Sequence, residues 1–190
     1  MRFEKGHFGL FFMPAHGQET SPPRSGGATF LKKRQNTDMD SIPRHRDFMS
    51  TALEEAALAA GDGEVPVGAV LVRNGEVIAR DHNRRDVTGD PTAHAEVLVL
   101  RSAGESAGDW RLEDATLYVT LEPCPMCAGA IVLARVRTVV FGASDPVAGA
   151  GGSAYNILED GKLGHTVEVL GGILEDECRE VLGKFFERLR

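Results

Sequence analysis

Two short motifs restrict how this chain can fold more than any other feature of its sequence. They are His94-Ala95-Glu96 and Pro123-Cys124-Pro125-Met126-Cys127, and each begins a predicted helix after a loop or a strand. A Cys-x-x-Cys sequence at a helix start brings both sulfurs to one point, where the helix N-terminus favours thiolates. One imidazole and two thiolates are ligands that suit Zn²⁺. If a single ion is to bind all three, the two helices must pack side by side.

The number of ligands predicts a catalytic metal rather than a structural one. A structural zinc site has four protein ligands, but the remaining cysteine, Cys178, lies in a predicted amphipathic helix, where a buried core position is expected. With His94, Cys124 and Cys127 as ligands, one zinc ion per chain keeps a position for water, whose pKa it lowers to about 7. Glu96 is placed to pass the proton of that water to a leaving group.

Hydrophobic periodicity predicts an α/β fold. Strands alternate with helices, so we expect a mixed sheet of about five strands between two helical layers, a three-layer α/β/α arrangement. The Asn74-Gly75 pair is a strong hairpin signal between the first two strands. The predicted helices are 46–60, 91–103, 124–134 and 173–189, the predicted strands are 65–72, 76–80, 115–121, 138–141 and 166–170, and loops are expected at 81–92 and 142–153.

Residues 1–43 differ in composition from the rest of the chain. The segment 1–37 has a net charge of +4, whereas residues 38–190 carry −11, which together give the −7 of the whole chain. This segment is rich in Gly, Pro and Ser and has no helical or strand period, so we expect a disordered or non-native N-terminal extension. Met39 is a plausible alternative start. We predict one zinc-dependent domain over residues 44–190.

Charge and cysteine content exclude some functional classes. A net charge of −7 argues against an extended basic surface that binds nucleic acid, although it allows a local basic rim around a recessed site. No apolar run reaches the roughly 18 residues that a membrane-spanning helix needs. Three cysteines are too few for a disulfide framework, which predicts a reducing, cytoplasmic environment.

The two motifs also carry a resemblance. His-x-Glu followed by Pro-Cys-x-x-Cys matches the zinc deaminase signature, whereas a thioredoxin-like redox pair would require no His-x-Glu partner. Residues 44–190 resemble the cytidine deaminase-like superfamily, and within it most closely the bacterial-type tRNA-specific adenosine deaminases. The zinc motif is shared by the superfamily, and the loop 142–153 and the tail 175–186 indicate the narrower family. The stretches that carry the resemblance are 65–70, 90–96, 117–130 and 139–143.

This resemblance implies a reaction, in which adenosine at the wobble position of a tRNA anticodon is hydrolysed to inosine and ammonia. A zinc-activated water attacks C6 of adenine, and Glu96 shuttles the protons. By the same resemblance, Asn83 contacts the flipped base, Asp145 contacts the tRNA anticodon stem-loop, and two chains form a homodimer with RNA crossing the interface. Some members have arginine where this chain has Ser144, which removes one phosphate contact.

Alternatives stay open at this point. Asn83 and Asp145 would also suit turns, and the arginines beside the 81–92 loop could meet phosphates or only solvent. Fold and zinc motif do not determine the substrate, so a deaminase of a free nucleobase such as guanine or cytosine is the alternative function. The presence of Glu96 disfavours a non-catalytic zinc-binding subunit. Phe185-Phe186 is interpreted as core rather than as a platform for base stacking.

Overall fold

The structure, a computed structural model, describes residues 41–188. The predicted extension therefore lies outside the described residues as far as residue 40, and residues 41–43 form the first turn of the first helix. The elements in chain order are α1 (Ser41–Gly61), β1 (Gly68–Arg73), β2 (Glu76–His82), α2 (Arg85–Thr88), α3 (Ala95–Ala107), β3 (Ala115–Leu121), α4 (Pro125–Leu133), β4 (Thr138–Ala143), β5 (Glu168–Leu170) and α5 (Glu175–Arg188).

The strands form one mixed sheet in the order β2-β1-β3-β4-β5. β1 pairs antiparallel with both β2 and β3, whereas β3, β4 and β5 run parallel to one another. Asn74 and Gly75 join β1 to β2 with φ angles of 52° and 81°, the positive values that a type I′ hairpin turn requires. The predicted α/β class and the mixed five-stranded sheet are confirmed.

Helices cover both faces of this sheet, which gives the predicted three layers. Alternate residues of each strand point to opposite faces, and so the sheet has two separate cores. On one face, α1 and α5 cover a core that contains Met49, Ala52, Val70, Val72, Tyr118, Val140 and Cys178. On the other face, α3 and α4 cover a core that contains Leu71, Val99, Leu117, Val119, Ile131, Val132 and Val139. Cys178 is 1% exposed, as expected of a core residue.

Gly68 allows α1 to lie directly on β1. A Cβ atom at this position would lie 2.0 Å from the carbonyl oxygen of Ala52 and 2.5 Å from the amide nitrogen of Ala56. Both neighbours are backbone atoms and cannot turn aside as a side chain would. No residue with a side chain fits at this crossing without displacing the helix.

The start of β1 differs from the prediction. The strand begins at Gly68 rather than at Val65, because Pro66 has no N–H to offer to a sheet. The Val67 N–H instead closes a turn onto the Val65 carbonyl at 2.8 Å. The apolar run that predicted a longer strand therefore includes three residues of connecting chain.

The start of α3 also differs, and this difference matters for the site. The predicted helix began at Pro91, whereas α3 begins at Ala95. The Asp90 carboxylate accepts hydrogen bonds from the Thr92 N–H at 2.8 Å and from its hydroxyl at 2.7 Å. This Asx turn keeps residues 90–93 out of the helix, so the helix starts immediately after the first predicted metal ligand.

Two other expectations need correction. The 81–92 segment is not only loop, since it contains the short helix α2, none of whose residues is buried. Phe186 is 49% exposed and so is not a core residue, while Phe185 is half-buried. Within residues 41–188, no helix combines the length and the apolar character needed to cross a membrane.

Candidate active site

The three predicted metal ligands meet where two neighbouring helices begin. His94 is the N-cap of α3, Cys124 is the N-cap of α4, and Cys127 lies in the first turn of α4. The His94 Nδ1 atom is 3.8 Å from Cys124 Sγ and 3.5 Å from Cys127 Sγ. Among the residues that the structure describes, this is the only group of three or more His, Cys, Asp or Glu side chains that could hold a metal ion.

The size of this cluster fits a tetrahedral zinc ion. Zn–S bonds of about 2.3 Å and Zn–N bonds of about 2.0 Å, set at the tetrahedral angle, separate N from S by about 3.5 Å. Both measured N···S distances lie close to that value. The donor set therefore has the chemistry and the spacing for one small divalent cation.

The protonation of the cluster leads to the same conclusion. Hydrogen bonds from the Cys127 thiol and from His94 lower the pKa of Cys124 to about 4, so its sulfur is a thiolate at neutral pH. The Cys124 thiolate, aided by burial, raises the pKa of Cys127, and a hydrogen bond to the same thiolate raises the pKa of His94. The Cys124 thiolate thus favours protons on its neighbours at the point where the three ligand atoms converge, and a divalent cation could take the place of such protons.

Glu96 lies beside the ligands without belonging to the cluster. It is in the first turn of α3, two residues after His94, and its side chain is 4% exposed. Burial raises the pKa of its carboxyl group above the ordinary value. A carboxyl group whose pKa is raised towards neutrality can both accept and return a proton, as a general base and acid must.

Asn83 lies in the wall of the same cavity and is 7% exposed. Its Nδ2 group donates a hydrogen bond of 2.9 Å to the Glu64 carboxylate, and its backbone N–H donates to the Val67 carbonyl at 2.9 Å. Asn83 is thus a rigidly held cavity residue at the end of β2 rather than a solvent-exposed turn residue. Sequence reasoning missed Glu64, because nothing near it in the chain marks it as a partner of Asn83.

Asp145 also borders the cavity, but its side chain is partly committed to the local loop. Its Oδ1 atom accepts hydrogen bonds from the N–H groups of Val147 and Ala148 at 2.9 and 3.1 Å. The turn role that the sequence allowed is therefore present. Within residues 41–188, Oδ2 makes no hydrogen bond, so it remains available to a ligand.

A second buried carboxylate that sequence reasoning missed, Glu122, holds this loop. It is 2% exposed and accepts hydrogen bonds from the N–H groups of Asp145, Gly151 and Ser153 at 3.0, 3.0 and 3.1 Å. A Cβ atom on Gly149 would lie 2.4 Å from this carboxylate. The loop thus wraps tightly around one buried side chain at the end of β3. The only signal in the sequence was that Glu122 directly precedes the Pro-Cys-x-x-Cys motif.

These side chains enclose one cavity of about 240 Å³. That volume is below the roughly 300–1,000 Å³ of pockets for drug-sized ligands, so it suits a single flat base. Of the predicted site residues, Asn83, His94, Glu96, Cys124 and Asp145 line the cavity, and Cys127 is fully buried behind it.

The arginines beside the site differ in their surroundings. Arg80 pairs with Glu55 at 3.2 Å, and Arg84 pairs with Asp81 at 2.9 Å. Arg85 lines the cavity and is about half exposed, and among the described residues its one ion-pair partner is its exposed neighbour Asp86 at 3.4 Å. Of the three, Arg85 is best placed to meet an anionic ligand at the cavity mouth.

Known proteins resemble this chain in sequence and fold. Residues 44–190 match the MafB19-like deaminase family. A tRNA-specific adenosine deaminase of Bacillus subtilis (strain 168) is 55% identical over 143 residues, which cover 75% of this chain and 89% of that protein. A solved structure from studies of A-to-I editing by tRNA:A34 deaminases at the wobble position is 48% identical, with a TM-score of 0.69 over 72% of this chain and 99% of that one.

A second solved structure represents the alternative that the sequence left open. The guanine deaminase of Bacillus subtilis is 41% identical, but it covers only 53% of this chain and 64% of its own, with a TM-score of 0.51. Compared with this structure, the two tRNA-specific relatives are more similar in sequence, at 55% and 48% identity, and the similarity covers more of both chains. The His–Cys–Cys cluster, the three-layer fold and these relatives lead to one conclusion, that the chain is a deaminase and belongs to the tRNA-specific adenosine deaminase family.

Proposed function

We propose that this protein hydrolyses adenosine at the wobble position of a tRNA anticodon to inosine and ammonia, with one zinc ion held by His94, Cys124 and Cys127. The observation that carries the proposal is the arrangement of a three-ligand cluster and the buried Glu96 carboxyl group around a cavity the size of one base. The substrate is proposed from the relatives, which are named as tRNA-specific deaminases and of which one is 55% identical.

The residues of the chain have separate parts in this reaction. Zinc, when held by His94, Cys124 and Cys127, would supply a bound water of lowered pKa. Glu96 accepts the proton of that water and delivers it to the amino group that leaves as ammonia. The helix N-termini of α3 and α4 stabilise the negative charge of the Glu96 carboxylate and of the sulfurs.

Binding of the substrate is assigned to the cavity wall and its rim. Asn83 holds the flipped base, and the free Oδ2 atom of Asp145 meets the flanking ribose of the RNA. Arg85, which lines the cavity, would bind an adjacent phosphate. With one arginine at the rim and a chain charge of −7, we expect few phosphate contacts and a shallow dependence of affinity on salt.

We further propose a homodimer that associates through the outer surface of α3 and α4. A groove of about 870 Å³ lies there, lined mainly by apolar atoms of both helices and of the segment that follows α3. Trp110 and Leu133 of this groove are 56% and 66% exposed, and Met126 at the start of α4 is 38% exposed. Large exposed apolar side chains on adjacent elements are typical of a protein–protein interface.

A cytoplasmic location is proposed on chemical grounds. The metal site requires Cys124 and Cys127 as reduced thiolates, and the three cysteines within residues 41–188 are unpaired. An oxidising compartment would favour a disulfide between two sulfurs so close together.

The experiment that tests the function compares two classes of substrate. Purified protein is incubated with a tRNA anticodon stem-loop that carries adenosine at the wobble position, and separately with free adenine, guanine and cytosine. We expect inosine in the stem-loop and no product from the free bases, because a base within a loop must be splayed out and held by its neighbours. Deamination of a free base without inosine in the stem-loop would instead identify a nucleobase deaminase.

A further inference from the structure

Glu64 is a buried carboxylate that the proposed chemistry does not use. Its side chain is 1% exposed. Its Oε2 atom accepts the 2.9 Å hydrogen bond from Asn83 Nδ2, and its Oε1 atom accepts one of 2.8 Å from the backbone N–H of Val87. The nearby Arg80 and Arg84 form their ion pairs with other carboxylates. Within residues 41–188, its hydrogen-bond donors are both neutral, and a buried carboxylate without a cationic partner is costly.

The carboxylate determines which way the Asn83 amide faces. A carboxylate only accepts hydrogen bonds, whereas an amide has a donor end and an acceptor end. Only the Nδ2 end of Asn83 can therefore point at Glu64, and the Oδ1 end must point away from it. Within residues 41–188, Oδ1 has no hydrogen-bond partner of its own, while the residue lines the cavity.

The same carboxylate also positions α2. None of the residues of this one-turn helix is buried, so hydrophobic packing does not hold it in place. The bond from the Val87 N–H to Glu64 ties the helix to the interior of the protein. Because α2 carries Arg85 at the cavity mouth, Glu64 affects both the wall and the rim of the site.

We propose that Glu64 is a positioning residue that fixes the Asn83 amide in one orientation, with its oxygen presented to a hydrogen-bond donor of the substrate, such as the exocyclic amino group of adenine. This inference rests on the proposed function in one respect, that Asn83 meets the substrate. Glu64 itself contacts neither the metal ligands nor the base, and acts by removing the alternative orientation of the amide.

Glu64→Gln provides a sharp test because glutamine has a single acceptor oxygen. The backbone N–H of Val87 can only donate a hydrogen bond, so the carbonyl oxygen of the new glutamine should face Val87. The NH₂ group of the glutamine should then face Asn83. The Asn83 amide must then flip and present NH₂ to the cavity. We expect kcat/KM on the stem-loop to fall about ten- to a hundredfold, mainly through KM, with zinc content unchanged.

The double variant Glu64→Gln/Asn83→Asp distinguishes positioning from a structural role. An aspartate at position 83 would accept a hydrogen bond from the new glutamine with one oxygen and present the other oxygen to the cavity. We therefore expect the double variant to be more active than either single variant. The double variant also has the same net charge as the wild type. Asn83→Asp alone should be strongly impaired because two carboxylates would then face each other.

A matched control and a second readout keep the outcomes separate. Glu55→Gln removes another buried carboxylate, which pairs with His82 outside the cavity, and should lower the melting temperature without changing kcat/KM.

In NMR spectra, the Asn83 side-chain NH₂ protons should exchange slowly with solvent in the wild type and quickly in Glu64→Gln, whatever the substrate. Unchanged activity in Glu64→Gln, or a double variant no better than the single variants, would overturn the inference. A wild type inactive on the stem-loop would instead refute the proposed function, and the NMR result would still decide the orientation.

Discussion

Replacing Glu96 by glutamine tests whether this carboxyl group moves protons without holding the metal. The side chain is 4% exposed and lies two residues from the nearest ligand, and glutamine has nearly the same size, so the cavity should keep its shape. The proton transfers should be lost. General acid–base catalysis contributes about 10²- to 10⁴-fold, so the barrier should rise by about 2.7–5.4 kcal/mol at 1.36 kcal/mol for each factor of ten.

The assay measures activity and metal content in the same preparations. Inosine is quantified after nuclease digestion of the stem-loop, and zinc is measured by atomic emission. Glu96→Gln should bind about one zinc per chain while kcat falls by the factor above. Cys124→Ala, the matched control, removes one of the three ligands and should lose both zinc and activity. Loss of zinc from Glu96→Gln, or a kcat within tenfold of the wild type, would refute the assigned roles.

Four other expectations can be checked directly. Gly68→Ala should cost about 1–3 kcal/mol, or several degrees in Tm by calorimetry, because its Cβ would overlap the backbone of α1. After zinc is chelated, iodoacetamide should modify Cys124 first, whereas Cys178, 1% exposed and with its pKa raised by burial to about 12, should remain unmodified in peptide mapping. Asp145→Ala should weaken stem-loop turnover and keep the zinc; Asp145→Asn retains the turn acceptor, so full activity in that variant would assign the residue to the loop alone. Deletion of residues 1–38, which lack an apolar period, should change neither Tm nor kcat by more than a small margin.

Much of the metal site could be predicted from the sequence because its determinants are local. The His-x-Glu and Cys-x-x-Cys motifs lie at helix starts, and the spacing within each motif is enough to bring its side chains to one end of a helix. The alternation of strands and helices then implied that both helices lie on one sheet. The predictions failed by several residues where a single side chain diverts the backbone, as Asp90 does before α3 and Pro66 does before β1.

The substrate-facing side of the cavity was decided by tertiary structure. Glu64 bonds to Asn83 across 19 residues of chain, and Glu122 bonds to Gly151 across 29. Neither carboxylate belongs to a periodic pattern, since each is placed by loops that fold back on it. The sequence by itself predicted the His94–Cys124–Cys127 cluster, the place of Glu96 beside it and the layered fold, because short-range spacing and hydrophobic period encode them. Only the tertiary structure decided how Asn83 and the 142–153 loop are held, because a buried carboxylate is satisfied by whichever donors distant segments bring to it.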